Sequence, residues 1–144
     1  LATGSKMFSI IKILLDKGEL GDSTMLILDE PEAHLHPMWQ NAFAEIIVLL
    51  VKELKLNVLL TTHSPNFVLA LDAYMRKYRL EEKSNFYQTQ ILEDGFVQYN
   101  CMDDDIGKIY EDFLQYLSEV KMLRSFYMRH GEEIESDEGM DEEG

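Results

Sequence analysis

The sequence has one cysteine, three prolines and no long hydrophobic segment. The single thiol, Cys101, excludes an internal disulfide and is typical of a reducing compartment such as the cytoplasm. The longest unbroken apolar segment covers residues 46–51, far fewer than the ~18 residues that a membrane-spanning helix needs. The chain also begins without the basic and apolar segments of a secretion signal. These absences predict a cytoplasmic protein with no membrane partner.

Basic residues are also few, because 13 lysines and arginines stand against 27 aspartates and glutamates, for a net charge of −14. A nucleic-acid-binding surface needs a basic face, so the composition argues against one in this chain. Residues 131–144 contain eight acidic residues and no base, and such a segment cannot bury enough apolar area to order itself. We therefore predict one domain over residues 1–130 and a disordered acidic tail over 131–144. A partner-binding role for the tail is the alternative.

The clearest positive signal is the segment 24–37, TMLILDEPEAHLHP. Its apolar run stops on Asp29, Glu30 and Pro31, which predicts a strand buried on both faces of a parallel sheet. The two acids would then lie at the carboxyl end of a central strand, where open α/β sheets bind ligands. Because adjacent carboxylates disfavour each other's charge, a cation or a polarised water nearby would make the pair easier to accommodate.

A second buried strand is predicted at residues 57–62, NVLLTT, which lead directly into His63. Between the two strands, the apolar residues of 38–54 recur at spacings of three and four, as in an amphipathic helix. Strand, helix and strand form a βαβ unit, whose two strands should be parallel. His63 would therefore lie beside Asp29 and Glu30 at one edge of the sheet.

The remaining patterns complete an α/β fold. Apolar periodicity predicts a strongly buried helix over residues 4–17, ended by Gly18, and further helices over 65–78 and 105–127. Alternating segments at 85–92 and 95–100 surround an Asp-Gly pair and predict a β-hairpin. The expected architecture is parallel strands with flanking helices, followed by a β-hairpin and a carboxyl-terminal helix.

Each polar position also has a purely structural interpretation. The strand-end acids could simply solvate the end of a strand, and His63 could be a polar strand end. Glu32, His34 and His36 could be grouped as metal ligands, with His63 as a third imidazole, but a His-x-His pair without cysteines is not specific. Asp103 and its two acidic neighbours precede a helix, where capping and the helix dipole account for them. A metal-dependent nuclease that uses Asp29, Glu30 and the Asp103 cluster is a weaker alternative.

Three motifs resemble those of ABC-type ATPases of the AAA family, in the usual order and at the usual separations. LILDEPEAHLHP is similar to the magnesium-binding strand and its following loop, NVLLTTHSP to the next strand with its switch histidine, and LATGSK to the signature loop. The resemblance extends from Leu1 to about Tyr78 and implies a partial P-loop NTPase fold. DEPE followed by HLHP, and TTHSP, resemble the non-transporter branch: chromosome-maintenance ATPases and the overcoming-lysogenization-defect and Septu-type phage-defence ATPases.

The resemblance implies roles for the residues at the sheet edge. Asp29 would bind Mg²⁺, and Glu30 would polarise the water that attacks the γ-phosphate of ATP. His63 would act as the switch residue that contacts the γ-phosphate or orients the water. These three side chains are the candidate catalytic and metal-binding residues.

The resemblance also implies an ATP-dependent dimer with a second ATPase protomer. Thr3, Gly4 and Ser5 belong to the signature-like loop, which would contact the γ-phosphate bound to the other protomer. Ala2 stands where the family usually has serine, so Thr3 would supply the hydroxyl. His36, in the loop after the catalytic glutamate, would contact the partner protomer.

One family element is missing, because the chain has no G-x-x-x-x-G-K-S/T phosphate loop. We expect the chain to be the carboxyl-terminal catalytic lobe of the ATPase, to need the amino-terminal lobe of the same protein, and to be inactive alone. A nuclease or DNA-acting partner is a further implication of the resemblance. The alternative is a non-enzymatic regulatory module that supplies its signature loop in trans to a partner ATPase.

Overall fold

A computed structural model describes residues 3–22 and 24–137, without the side chains of residues 3–5, 112 and 130–137. The chain divides into two compact units, Leu1–Ile106 and Gly107–Gly144. The predicted division into a domain over residues 1–130 and a tail over 131–144 stays a prediction. Among the described residues, the apolar core cluster includes none beyond Phe86.

The first unit is an α/β fold, as the sequence predicts. Its elements are α1 (Thr3–Asp16), β1 (Met25–Asp29), α2 (Pro37–Leu54), β2 (Asn57–Thr61), α3 (Pro65–Lys77), a 3-10 turn (Glu81–Lys83), β3 (Tyr87–Ile91) and β4 (Val97–Cys101). Strands β1 and β2 pair in parallel, with Met25 opposite Asn57 and Asp29 opposite Thr61. Strands β3 and β4 form the expected antiparallel hairpin.

Helix α1 ends where the sequence predicts. Gly18 adopts a φ of +68°, a left-handed conformation that glycine accepts without a steric penalty. The Gly18 and Glu19 amides donate to the carbonyl oxygens of Leu15 and Leu14 at 3.0 Å each, the hydrogen-bond pattern of a Schellman motif. Gly18 therefore ends the helix by satisfying two of its last carbonyl groups.

Helices α2 and α3 begin in the same way, with a polar cap followed by proline. The Ser64 hydroxyl accepts a hydrogen bond from the Phe67 amide at 3.2 Å, and Pro65 occupies the first turn of α3. In α2, the cap is His36 and the proline is Pro37. A proline in the first turn costs no helical hydrogen bond, because an amide N–H there would have no partner within the helix. Both helices therefore start at positions that the sequence specifies.

The core of the first unit lies between the helices and one face of the parallel sheet. Phe43 of α2 and Phe67 of α3 are fully buried, and their rings stack with centroids 6.2 Å apart. The rings of Phe8 in α1 and Phe43 pack edge to face, with their centroids 5.0 Å apart. This contact brings the first helix into the same cluster. Leu28 carries the contact to the sheet.

The opposite sheet face is exposed, although the sequence predicts strands buried on both sides. Met25, Ile27 and Leu59 have exposed fractions of 58%, 68% and 53%. Side chains alternate between the two faces of a strand, so these three residues share the face that the core does not cover. Helix α1 is likewise only partly buried, since Ile10 and Ile13 are exposed.

The second unit contains most of α4 (Ile106–Asp137). The helix extends ten residues past the expected end at Tyr127, so residues 131–137 of the segment expected to be disordered are helical. Adding a residue to an existing helix gains one hydrogen bond, and glutamate is a good helix former, which explains the extension. Residues 138–144 lie outside the described part of the chain.

Within the described residues, no helix meets the length and hydrophobicity that a membrane span requires.

Candidate active site

The carboxyl ends of β1 and β2 lie side by side and bring together the polar residues that follow each strand. Asp29 is the last residue of β1 and is directly opposite Thr61, the last residue of β2. The Thr61 hydroxyl donates a hydrogen bond to Asp29 Oδ1. The Asp29 carboxylate is therefore held by the neighbouring strand while its residue is exposed to solvent.

Glu30 begins the turn after β1 with a φ of +42°. This left-handed backbone conformation is uncommon for a residue with a side chain, and it occurs in native proteins where the surroundings impose it. Here the Glu30 amide donates to the Thr61 carbonyl oxygen at 3.1 Å. The turn thus ends the strand immediately before Pro31 and aims the Glu30 side chain differently from an extended strand residue.

The Glu30 side chain meets the candidate switch histidine. Glu30 Oε1 lies 2.9 Å from His63 Nε2, and the two side chains are 43% and 88% exposed. The sequence predicts this proximity from the parallel βαβ arrangement, and the structure places the residues accordingly. A carboxylate next to an imidazole at an open edge can accept a proton from a bound water while the imidazole stays oriented.

Glu32 forms a third contact between the two strand ends. It is only 2% exposed, and its Oε1 accepts a hydrogen bond from the Thr62 hydroxyl. Its Oε2 is buried and has no hydrogen-bond partner among the described residues. The Thr62 hydroxyl also accepts from the Ser64 amide at 3.0 Å, so Thr62 connects the buried acid to the start of α3.

Gln40 connects the loop after β1 to the start of α3. Its side-chain nitrogen donates to the Leu35 carbonyl oxygen at 3.2 Å. Its Oε1 accepts from the Ser64 hydroxyl at 2.9 Å and from Asn66 Nδ2 at 3.3 Å. The loop that carries Glu32 and the segment that carries His63 are therefore held together by side chains on both sides of the sheet edge.

His36 caps α2. Its Nδ1 accepts a hydrogen bond from the Met38 amide at 3.3 Å, and the residue is exposed. The structure thus assigns this ring a local role at the start of a helix. The predicted contact with a second protomer stays a prediction.

The signature-like segment lies partly outside the described residues. Leu1 and Ala2 are not described, and only the backbone of Thr3, Gly4 and Ser5 is described, in the first turn of α1. A helix amino terminus presents unpaired amides that suit an anion. Whether these three residues bind a phosphate stays a prediction.

The residues at the sheet edge fit a magnesium ion only in part. Mg²⁺ is usually held by one or two carboxylates together with water and substrate phosphates, and the exposed Asp29 carboxylate at the strand end is a group of that type. Glu32 is buried and bonded to Thr62. Within the described residues no group of three His, Cys, Asp or Glu side chains forms a metal site, so the histidine-rich metal site considered from the sequence finds no support there.

Asp103, considered from the sequence as a cap or nuclease ligand, stabilises the hairpin. Its Oδ1 accepts from the Phe86 amide at 2.5 Å, and its Oδ2 accepts from Asn85 Nδ2 at 2.7 Å. These hydrogen bonds, first that from the Phe86 amide, lower the pKa of the Asp103 carboxyl below its usual value. The carboxylate therefore fastens the end of β4 to the segment that precedes β3.

Sequence reasoning missed the residues that support the predicted ones. Thr61, Thr62 and Gln40 form hydrogen bonds to the sheet-edge acids or the loop between them. Two consecutive threonines before His63 are a weak signal that this strand end offers hydroxyl donors. Nothing in the sequence pattern indicates the role of Gln40, because Ser64 and Asn66 are distant from it in sequence and contact it only in the folded chain.

Comparison with known proteins finds a family model that matches part of the chain. Residues 4–70 match the family model described as "AAA domain, putative AbiEii toxin, Type IV TA system". The matched range runs from α1 into α3 and includes Asp29, Glu30 and His63, and it supports a P-loop, ABC-type ATPase domain. A search of curated protein sequences finds no match.

A solved structure is similar to most of the chain. It is an SMC ATPase, from work on ATP-driven dimerization and DNA-stimulated activation of SMC ATPases, with a TM-score of 0.55 and 15% sequence identity. The similarity covers 78% of this chain and 62% of that chain, so this chain spans less than two thirds of the length of the similar structure. The likeness shows the fold, which is a partial P-loop NTPase fold.

Proposed function

We propose that the chain is the carboxyl-terminal catalytic lobe of an ABC-type ATPase that binds and hydrolyses ATP with Mg²⁺. One observation carries the proposal: Glu30 and His63 meet at 2.9 Å across the ends of two parallel strands, next to Asp29. The family match over residues 4–70 supports the same conclusion independently.

In this proposal each side chain at the sheet edge has one task. Glu30 accepts a proton from the attacking water, and His63 holds the Glu30 carboxylate and contacts the γ-phosphate. Asp29 provides a carboxylate ligand for Mg²⁺, which would neutralise charge on the phosphate oxygens. The hydroxyls of Thr61 and Thr62 keep the acids in place.

The chain does not supply the whole nucleotide site. It contains no phosphate loop, and the sheet face with Met25, Ile27 and Leu59 is exposed. Parallel sheets are normally covered on both faces. We propose that the amino-terminal lobe of the same protein covers this face and contributes the phosphate loop.

A second protomer completes the proposed enzyme. Thr3, Gly4 and Ser5 would contact the γ-phosphate of the partner's nucleotide, and His36 would lie at the dimer interface. The similar SMC ATPase, described for its ATP-driven dimerization, supports this arrangement. We place the parent among the non-transporter ATPases of the chromosome-maintenance, overcoming-lysogenization-defect and Septu-like group, in the cytoplasm, with a nuclease or DNA-acting partner.

Glu30→Gln in the assembled ATPase, which joins this chain to its phosphate-loop lobe, tests the proposal. We expect the rate of ATP turnover to fall about 10²–10⁴-fold, as for removal of a general base, while ATP-bound dimers accumulate. The matched control is Glu53→Gln, because Glu53 is an exposed residue of α2 that forms a salt bridge with the adjacent Lys52. Turnover equal to that of the control would refute the catalytic role of Glu30.

A further inference from the structure

Helix α4 carries an apolar stripe with the spacing of a coiled coil. Residues Ile109, Phe113, Tyr116, Val120, Leu123 and Tyr127 are separated by four, three, four, three and four positions. This 3.5-residue average is the repeat that keeps one seam facing a partner helix along a left-handed supercoil. We name these six residues the α4 seam.

The seam is accessible to a partner. Phe113, Tyr116, Val120, Leu123 and Tyr127 are all exposed, with Tyr116 and Val120 exposed by 66% and 61%. Ile109 is half-buried. Exposed apolar residues scattered singly are ordinary, but a contiguous stripe of this kind is typical of an interaction surface.

The side chains that flank the seam are also arranged as in a coiled coil. Taking Phe113 and Val120 as positions a, the residues Tyr110 and Leu117 fall at e and widen the apolar surface. Position f, on the far side of the helix, holds only polar residues: Glu111, Ser118 and Ser125. Leu114, Met122 and Met128, at positions b and c, are also apolar and exposed, so the uniformly polar side of the helix is the line of f positions.

We propose that α4 pairs with α4 of a second copy of this chain, in a parallel, in-register two-stranded coiled coil. Charge complementarity selects this occupant and this orientation. In a parallel pair, position g of one helix lies next to position e of the following heptad on the other helix. Glu119 at g therefore meets Arg124 of the second copy, and twofold symmetry repeats the contact.

An antiparallel pair does not offer this contact. There, positions g face g and positions e face e, so Glu119 would meet Asp112, another Glu119 or Phe126. Arg124 would meet Tyr110, Leu117 or another Arg124. Each antiparallel register thus places like charges together or leaves the charges unpaired. Because contacts between like charges are unfavourable, the antiparallel pair is disfavoured relative to the parallel one.

The area is sufficient for a specific dimer. Large aromatic side chains bury about 150–250 Å² each when fully covered, and each copy contributes three of them to the seam. Together with the aliphatic residues, the pair would bury on the order of 1,000 Å², the lower limit for a specific protein interface. The seam ends at Tyr127, before the first acid of the tail, Glu132, so the acidic segment is not part of the packed surface.

The first test measures the mass of the full 144-residue chain in the absence of nucleotide, by light scattering and sedimentation equilibrium at micromolar concentration. We expect twice the monomer mass of 16.8 kDa, and we expect Val120→Lys to be monomeric with unchanged helix content. The matched control is Ser118→Lys, at position f on the polar side, which should stay dimeric. A monomeric parent chain, a trimer, or a dimer that survives Val120→Lys would overturn the proposal.

The second test uses charge exchange, which leaves the apolar seam intact. Glu119→Arg and Arg124→Glu should each weaken the dimer, by roughly tenfold in Kd, because two symmetric contacts become repulsive. The double exchange should restore the parent Kd. If the double variant remains as weak as the single ones, the two residues do not face each other and the parallel register is wrong.

The third test fixes the orientation with an engineered thiol in a Cys101→Ser background. Position-a residues of a parallel, in-register pair face their own copies, so Val120→Cys should form a disulfide-linked dimer under mild oxidation. Met122→Cys, at position c, should not. In an antiparallel pair position a faces position d, so efficient cross-linking of Phe113→Cys with Leu123→Cys, in a mixture of the two variants, would indicate an antiparallel pair and contradict the proposal.

Discussion

Glu32 is a buried acid that the sequence pattern does not separate from its exposed neighbours. A buried polar group costs free energy unless it is hydrogen-bonded, and one oxygen of Glu32 depends on the Thr62 hydroxyl. The same hydroxyl accepts from the Ser64 amide. At the residue scale, Thr62 therefore serves two polar groups that would otherwise lack a partner.

We predict that Thr62→Val lowers the free energy of unfolding by about 1–3 kcal/mol, the cost of leaving a buried polar group unsatisfied. Thr62→Ser keeps the hydroxyl and is the matched control, with a smaller loss. Chemical denaturation of the 144-residue chain measures both variants. Equal stability of the valine and serine variants would show that the hydroxyl does not support Glu32.

Asp103 gives a pH-dependent prediction at the same scale. Because hydrogen bonds from the Phe86 amide and Asn85 lower its pKa, its contribution is present above the ordinary carboxyl pKa and is lost as pH falls through the lowered value. We expect Asp103→Asn to reduce stability by about 1 kcal/mol or less near pH 7, since solvent screens an accessible carboxylate.

The difference between Asp103→Asn and the parent chain should shrink as the pH falls below the ordinary carboxyl value of 3.8. Denaturation at a series of pH values measures it, and Asp104→Asn, at an exposed neighbouring acid, is the control. A difference that stays constant down to the lowest accessible pH would mean that the ionised form is not what stabilises the hairpin.

At the scale of elements, the sequence specifies most boundaries. Pro65 with Ser64 sets the start of α3, Gly18 the end of α1, and Asp94-Gly95 the hairpin. These are local signals, since each depends on capping, a positive φ or a turn within a few residues. The predicted end of α4 at Tyr127 is wrong, because the helix continues to Asp137 through glutamates, which are good helix formers.

Strand burial was the other element-scale error. A continuous apolar run predicts a strand covered on both faces, and periodicity alone does not say whether the second cover lies in the same chain. Ile27 and Leu59 are exposed, so the first unit covers only one face. The exposed face leads to a prediction about the proposed missing lobe.

We predict that Ile27→Lys prevents binding of the phosphate-loop lobe but changes the unfolding free energy of the isolated chain by no more than about 0.5 kcal/mol, because surface substitutions have small effects. Thr89→Lys, on exposed strand β3, is the control for added charge. Co-purification of the two lobes measures binding. A complex that tolerates Ile27→Lys would show that this sheet face is not the contact.

At the scale of the whole molecule, the proposed function gives this chain only half of a nucleotide site. In that proposal the sheet edge would supply one acid for Mg²⁺ and one for water, but the sequence has no glycine-rich loop for the triphosphate. In P-loop enzymes that loop and its lysine hold the β- and γ-phosphates of ATP. The isolated chain should therefore bind ATP poorly.

We predict that calorimetric titration of the 144-residue chain with Mg-ATP gives no micromolar affinity, and that phosphate release stays at the level of Glu30→Gln. Addition of the phosphate-loop lobe should restore binding. Micromolar binding by the bare chain would contradict the proposed division of the site between two lobes.

The sequence by itself determined the helix starts and ends apart from the end of α4, together with the hairpin and the parallel βαβ unit, because these follow from local conformational preferences and from hydrophobic period. It also determined that Asp29, Glu30 and His63 share one edge, since parallel strands end on the same side. Only the tertiary structure decided that Glu32 is buried beside Thr62 and that one sheet face and most of the α4 seam are exposed. Burial depends on which surfaces meet across long sequence separations, and no local pattern records that.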